Sequence, residues 1–157
     1  MPELADISQD APSCIEYIDT MSPAYKAGFL RSKQDYVLNS EAVEKLSSFA
    51  KEYHIVVLFA DWCGDARKAV PVLSLIEEGT GMKIVALGGM TKPPYGSDKY
   101  WAVPPSPVEV DLFGITSSPT ILIFNSKGEE IGRIKTRPKI APTLEEEMVI
   151  IIENSLG

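Results

Sequence analysis

The residues best placed to do chemistry are Ala60-Asp61-Trp62-Cys63-Gly64-Asp65. A continuous apolar run precedes them and a helix-forming stretch comes after. A cysteine at such a strand-to-helix junction has its sulfur near backbone N–H groups that lack helical partners and near the positive end of the helix dipole. Both favour thiolate over thiol, and the thiolate is the nucleophile. Arg67 and Lys68, within the next turn, add positive charge, whereas Asp61 and Asp65 oppose it, because a neighbouring carboxylate disfavours a second negative charge. The competing reading is an inert cysteine serving as a small core residue.

The elements that must position Cys63 emerge from periodicity. His54 to Ala60 (HIVVLFA) is β-branched and aromatic, as expected of a buried central strand. Beyond Gly64, the spacing of Ala69, Val72, Leu73 and Ile76 predicts a helix that stops near Gly79 and Gly81. Lys83 to Leu87 predicts a second strand, parallel to the first across that helix. Thr120 to Phe124 is a third strand, joined through the turn Asn125-Ser126-Lys127-Gly128 to a fourth at Ile131 to Ile134. Ser40 is read as the cap of a helix carrying Val43, Leu46, Phe49 and Ala50. A final amphipathic helix carries Leu144, Met148, Ile151 and Ile152, and Glu145-Glu146-Glu147 reads most simply as its acidic first turn. Val108 to Phe113 predicts a short helix ending at Gly114.

Two segments lie outside this core. Residues 1–39 read as an N-terminal helical extension: Asp10 caps a helix through Cys14, Ile15 and Ile18, Ser22-Pro23 stops it, and a weaker turn or two spans Ala24 to Arg31. Residues 40–157 form the main domain, interrupted by an insertion at 88–107. That insertion has five prolines, three aromatic residues and three glycines without a period, and long irregular insertions in compact domains are usually functional or mobile. Its Tyr95, Tyr100 and Trp101 suit either a partner surface or the domain's own core.

Bulk properties narrow the function. The 157 residues carry a net charge of −7, which argues against nucleic acid and against anionic membranes. The start, MPELADISQD, has no basic segment followed by an apolar run, so no signal peptide is expected. No apolar run approaches the roughly 20 residues that span a bilayer, and a reducing cytoplasm is the expected compartment. Two cysteines form no disulfide framework. With one histidine and two scattered cysteines, no metal site of recognisable spacing exists and no cofactor is expected. His54 reads as a solvated strand end. The glycines at 79, 81, 88 and 89 form no phosphate-binding pattern.

The segment WCGDARKAVP resembles the active-site segment of the thioredoxin family, Trp-Cys-Gly-x-Cys-Lys opening a helix that contains a proline. Trp62, Cys63, Gly64, Lys68 and Pro71 fit it. Ser117-Ser118-Pro119-Thr120 followed by ILIF is similar to the family's loop before a cis-proline, and residues 125–129 are similar to its hairpin turn. Gly132-Arg133 and Thr136-Arg137-Pro138 resemble a Trp-Cys-Gly-Asp subgroup. The resemblance covers residues 40 to 157. It implies an α/β fold of three layers, α/β/α, with a central mixed sheet of about four strands.

The resemblance also implies roles. Cys63 is the nucleophile, Trp62 lines a substrate groove, and cis Pro119 leaves the Ser118 backbone free to pair with an extended chain. Two departures stand out: Ala66 replaces the second cysteine, and Val57 replaces a buried acid. Without the second thiolate, a mixed disulfide on Cys63 waits for an outside thiol. The expected function is therefore a thiol–disulfide oxidoreductase by a monothiol or non-standard route, acting on a protein or small-thiol disulfide. One alternative is a redox-inactive binding module with the same groove. Another is a peroxide sensor in which Cys14 captures oxidised Cys63. Asp65, Ala66, Lys68 and Cys14 are the auxiliary candidates, with an apolar core residue as the competing reading of Cys14.

Overall fold

The computed structural model describes residues 2–92, 101 and 105–157. Four strands build one sheet: β1 (His54–Leu58), β2 (Lys83–Leu87), β3 (Thr120–Phe124) and β4 (Glu130–Lys135), in the order β2-β1-β3-β4. β1 and β2 are parallel, as a strand–helix–strand unit requires. β3 runs antiparallel to both β1 and β4, so the sheet is mixed.

Alternation of side chains sorts the core into two clusters. Ile55 and Val57 of β1 join Ile84, Ile121, Ile123 and Ile134 on one face. Five helices supply the rest of that core: α1 (Cys14–Thr20), α2 (Pro23–Asp35), α3 (Ser40–Phe49), α4 (Gly64–Thr80) and α6 (Leu144–Leu156). Val56 and Leu58 point the other way, onto Leu122, Phe124, Val110 and Phe113. That face has lighter cover, from the four-residue α5 (Glu109–Leu112) and from Ile7, next to a 3₁₀ turn at Leu4–Asp6.

Several element starts differ from the sequence expectation, each for a local reason. α1 is capped by Ser13, not Asp10: Ser13 Oγ accepts from the Glu16 N–H and the Glu16 carboxylate accepts from the Ser13 N–H, a capping box. The residues before it run along β2 instead, where Ser13 bridges Val85 and the Ala86 N–H donates to the Pro12 carbonyl at 2.8 Å. Asn39, not Ser40, caps α3. α2 is a full 13-residue helix rather than a turn or two, opened by Pro23 in its first turn. Its weak pattern reflects small packing residues: a Cβ on Gly28 would lie 2.8 Å from Arg67 Cδ, so the Arg67 stem crosses there.

The acidic triplet forms the first turn of α6, as its sequence suggests. Glu145 is fully buried and Glu147 nearly so. Glu145 accepts from the Tyr36 hydroxyl at 2.9 Å and from the Asn39 N–H at 2.8 Å. One oxygen of Glu147 accepts from three successive amides, Lys139, Ile140 and Ala141. These carboxylates tie the loop before α6 and the α2–α3 junction to the helix, and buried charges need such partners.

Candidate functional site

The β1–β3 register builds the site. Leu58, the last residue of β1, faces Thr120, the first of β3, so the chain leaving β1 (59–63) and the chain entering β3 (117–119) meet at one end of the sheet. Two hydrogen bonds join them. The Ala60 N–H donates to Ser118 Oγ at 2.8 Å, and the Cys63 thiol donates to the Ser118 carbonyl at 3.4 Å. The Ser118–Pro119 peptide is cis, and the Pro119 carbonyl accepts from the Thr136 N–H at 2.7 Å. Cys63, Ser118 and Pro119 are thus brought together. The Ser118 N–H donates to no group among the described residues, whereas its carbonyl is already engaged by the thiol.

Cys63 sits at the N-cap of α4 with extended backbone angles and no side-chain capping bond. Its own N–H donates to the Ala60 carbonyl, and its carbonyl accepts from Arg67, closing the first helical bond. The amides of residues 64–66 therefore lie at the open, positive end of a 17-residue helix. The residue is half-buried at the seam of the two core clusters, held by packing on one side and open on the other. Pro71 lies inside α4 and is buried.

The surrounding predicted residues divide. Trp62 is 49% exposed and stacks on Trp101, ring centroids 5.8 Å apart, with Lys92 Nζ over both rings. Trp101 is buried within the second core cluster, whereas Tyr95 and Tyr100 lie outside the described residues. Asp65 faces Arg137 at 3.7 Å. Lys68 is exposed and, with Asp65, Arg137, Ile121, Ile134 and Leu144, lines a cavity of about 210 Å³ beside α4. Ala66 is fully buried in the core.

Cys14 does not join this site. It is fully buried, and its N–H donates to Glu77 Oε1 at 2.7 Å. Glu77 lies near the far end of α4, fourteen residues beyond Cys63 and roughly 20 Å along the helix at 1.5 Å per residue. Burial, then the charge of Glu77, pushes the Cys14 thiol well above its ordinary range. A resolving or sulfenate-trapping role needs an accessible thiol next to Cys63, and Cys14 meets neither condition. The apolar-core reading of Cys14 is the one that fits.

Two residues at the site had no motif to announce them. Tyr17 of α1 donates to Asp61 Oδ1 at 2.6 Å. Burial, with the hydrogen bond to Asp61 and the Asp61 charge, pushes the Tyr17 phenol up from its usual value of 10.0. Gly88 is the other: a Cβ there would fall 1.9 Å from the Tyr17 hydroxyl oxygen. The available signal was the pair Gly88-Gly89 directly after a strand, which marks a close backbone approach. Among the described residues, no group of three or more His, Cys, Asp or Glu side chains is arranged to hold a metal ion.

Comparison with known proteins bears on the same region. The family model described as thioredoxin matches residues 11–87, from the segment before α1 to the end of β2 and including Cys63. Among solved structures, the chain is similar to a protein of unknown function from Pseudomonas aeruginosa, with a TM-score of 0.74 and 15% identity over 99% of both chains. An HIV epitope-scaffold is similar at a TM-score of 0.70 and 14% identity, over 98% of this chain and 99% of that one. Thioredoxin f2 of Chlamydomonas reinhardtii matches at a TM-score of 0.45 and 13% identity, over 67% of this chain and 81% of its own. No curated protein sequence matches. No helix among the described residues is long and apolar enough to cross a membrane.

Proposed function

The chain belongs to the thioredoxin-like family, and from that premise we propose that Cys63 is the nucleophile of a thiol–disulfide exchange that runs by a monothiol route. The observation that carries the reading is the half-buried Cys63 sulfur at the open end of α4, 3.4 Å from the Ser118 carbonyl that precedes cis Pro119. On losing its proton, the sulfur exchanges its bond to that carbonyl for the field of the helix end. The thiolate attacks one sulfur of a disulfide. A new Cys63 S–S bond forms, the old S–S bond breaks, and the second sulfur leaves as a thiolate that takes up a proton.

Ala66 decides the fate of this adduct. With no thiol one turn along the helix, the mixed disulfide persists until an external thiolate attacks the substrate-side or the Cys63 sulfur. Attack at Cys63 releases the substrate's remaining thiol and leaves the donor bound to Cys63. A second donor thiolate then breaks that bond, forming the donor's own disulfide and freeing the Cys63 thiolate. The Ser118 N–H, unpartnered among the described residues, is the group available to an extended substrate backbone, and Trp62 is the exposed apolar surface beside it. The substrate on this reading is a protein or small-thiol disulfide, and a reducing cytoplasm is the compartment in which both cysteines stay free. The burial of Ala66 also supports a second reading, a groove that binds partners and has lost turnover.

Two measurements test this. Alkylation of Cys63 followed against pH gives a rate at neutral pH well above that of an unperturbed thiol if the nucleophile reading holds; an unreactive Cys63 removes it. Reduction of a protein disulfide with excess monothiol as donor then separates the readings. Turnover by the wild-type chain supports the monothiol route, whereas turnover gained only with Ala66→Cys supports the binding groove.

A further inference from the structure

Residues 1–39 reach the Cys63 loop through Phe29, which packs against Phe59, and through Tyr17, which goes on to Asp61. Tyr17 rises from α1 with its ring edge-on to Phe59, centroids 5.0 Å apart. It passes so close over Gly88 that a Cβ at that position would overlap its hydroxyl and ring carbons, at 1.9 to 2.7 Å. The phenol ends at Asp61 Oδ1, 2.6 Å away, and the Gly89 N–H donates to the same oxygen at 3.3 Å. Asp61 is two residues before Cys63, in the tight turn closed by the bond from the Cys63 N–H to the Ala60 carbonyl at 3.1 Å. A core aromatic, a glycine that leaves room, and two donors on one carboxylate oxygen thus converge on the turn that carries the sulfur.

We infer that Tyr17 is a positioning residue for Cys63: its hydrogen bond to Asp61 holds the Asp61–Cys63 turn and draws the Asp61 negative charge toward α1 and away from the sulfur. This rests on the reading of Cys63 as the nucleophile. Two effects combine. A carboxylate close to a thiol disfavours the thiolate, so a carboxylate here is tolerable only where donors hold its charge. A short bond from a part-buried hydroxyl to an ionised acceptor is also stronger than a neutral one, so it fixes geometry as well as charge. Residues 1–39 are on this account part of the working site.

The test uses the full chain with Tyr17→Phe, which keeps the ring and removes one oxygen, made in the native background and in Asp61→Asn. In the native background Tyr17→Phe lowers Cys63 alkylation by iodoacetamide at neutral pH about three- to tenfold and leaves the rate at high pH unchanged. In the Asp61→Asn background the same change alters the rate less than about twofold, because the charge it managed is gone. Hydrogen exchange at the Cys63 amide rises about tenfold with Tyr17→Phe, while exchange along β1 is unchanged. Superimposable pH–rate profiles, or an equal loss in both backgrounds, overturn the proposal. If Cys63 does not react even in the wild type, the nucleophile reading falls. Amide exchange then decides the positioning claim: a local rise confined to the turn sustains it, and no rise ends it.

Discussion

The N-terminal ends of α4 and α6 present the same physics put to opposite uses. Each begins beside the sheet with three amides that no helical carbonyl can accept. At α6 one vacancy is filled by a side-chain cap and the first turn is acidic. Thr143 caps the Glu146 N–H and donates to its carboxylate, and the first turn holds Glu145, Glu146 and Glu147. Two of those carboxylates are buried and collect donors from the α2–α3 junction and from residues 139–141. At α4 the cap is Cys63, which makes no capping bond. The nearby acids face elsewhere, Asp65 to Arg137 and Asp61 to Tyr17. A helix end crowded with carboxylates that gather distant donors is a structural joint, and one whose nearest acids are paired elsewhere can stabilise an anion that forms during reaction.

Converting the open end into a capped one breaks this comparison most severely. Cys63→Ser removes mixed-disulfide formation with an activated disulfide, a loss on the order of a thousandfold or more, since an alkoxide is not available at neutral pH. Because serine is a preferred N-cap, the same change raises unfolding free energy in urea by up to about 1 kcal/mol. Lost reactivity accompanied by equally large destabilisation would mean that the sulfur is mainly a packing group.

The acidic end gives the mirror result. Glu147→Ala leaves three amides without their acceptor and lowers unfolding free energy by about 2–4 kcal/mol, read as a shift in the urea midpoint. Cys63 alkylation at neutral pH in the folded variant stays at the wild-type rate. A matching loss of reactivity would show that the two helix ends are not independent.

The smallest effect concerns the far end of α4. Burial holds Glu77 above its ordinary value of 4.5, although the Cys14 N–H bond pulls the other way. The folded state therefore resists ionisation of Glu77. Its contribution to stability is fully present below the ordinary carboxylate pKa and is lost as pH rises through the raised folded value. Glu77→Gln keeps an acceptor for Cys14 and flattens the decline of Tm with pH over that window. An unchanged slope would assign the pH dependence to other groups.

Much of the site is legible in the amino-acid order. HIVVLFA and TILIF lack polar positions at their centres because both faces of each strand are covered, and the WCGD segment between a strand and a helix places its sulfur by local geometry alone. The turn Asn125 to Gly128 and the stop at Gly81 reflect local backbone preference: Gly81 adopts φ 73 as the α4 cap. The features beyond this reading differ in how far along the chain their partners lie. The Ser13 cap is a local box with Glu16, whereas the partners of Glu145 and the packing of α2 at Gly28 lie far off in sequence. Tyr36, Asn39 and Arg67 are those distant partners, and none falls in a short window around the residue it meets.

The amino-acid order by itself determined the strands, the helix behind Cys63 and the alanine three residues after it, because each is a property of a few adjacent residues. Only the tertiary structure decided that Cys14 lies remote from Cys63 and that Tyr17 reaches Asp61. It also chose the partners of the glutamates in the first turn of α6, two of which are buried acceptors. The reason is that charge and hydrogen-bond partners are chosen by packing: a carboxylate has the same local signature whether water or a buried amide will face it.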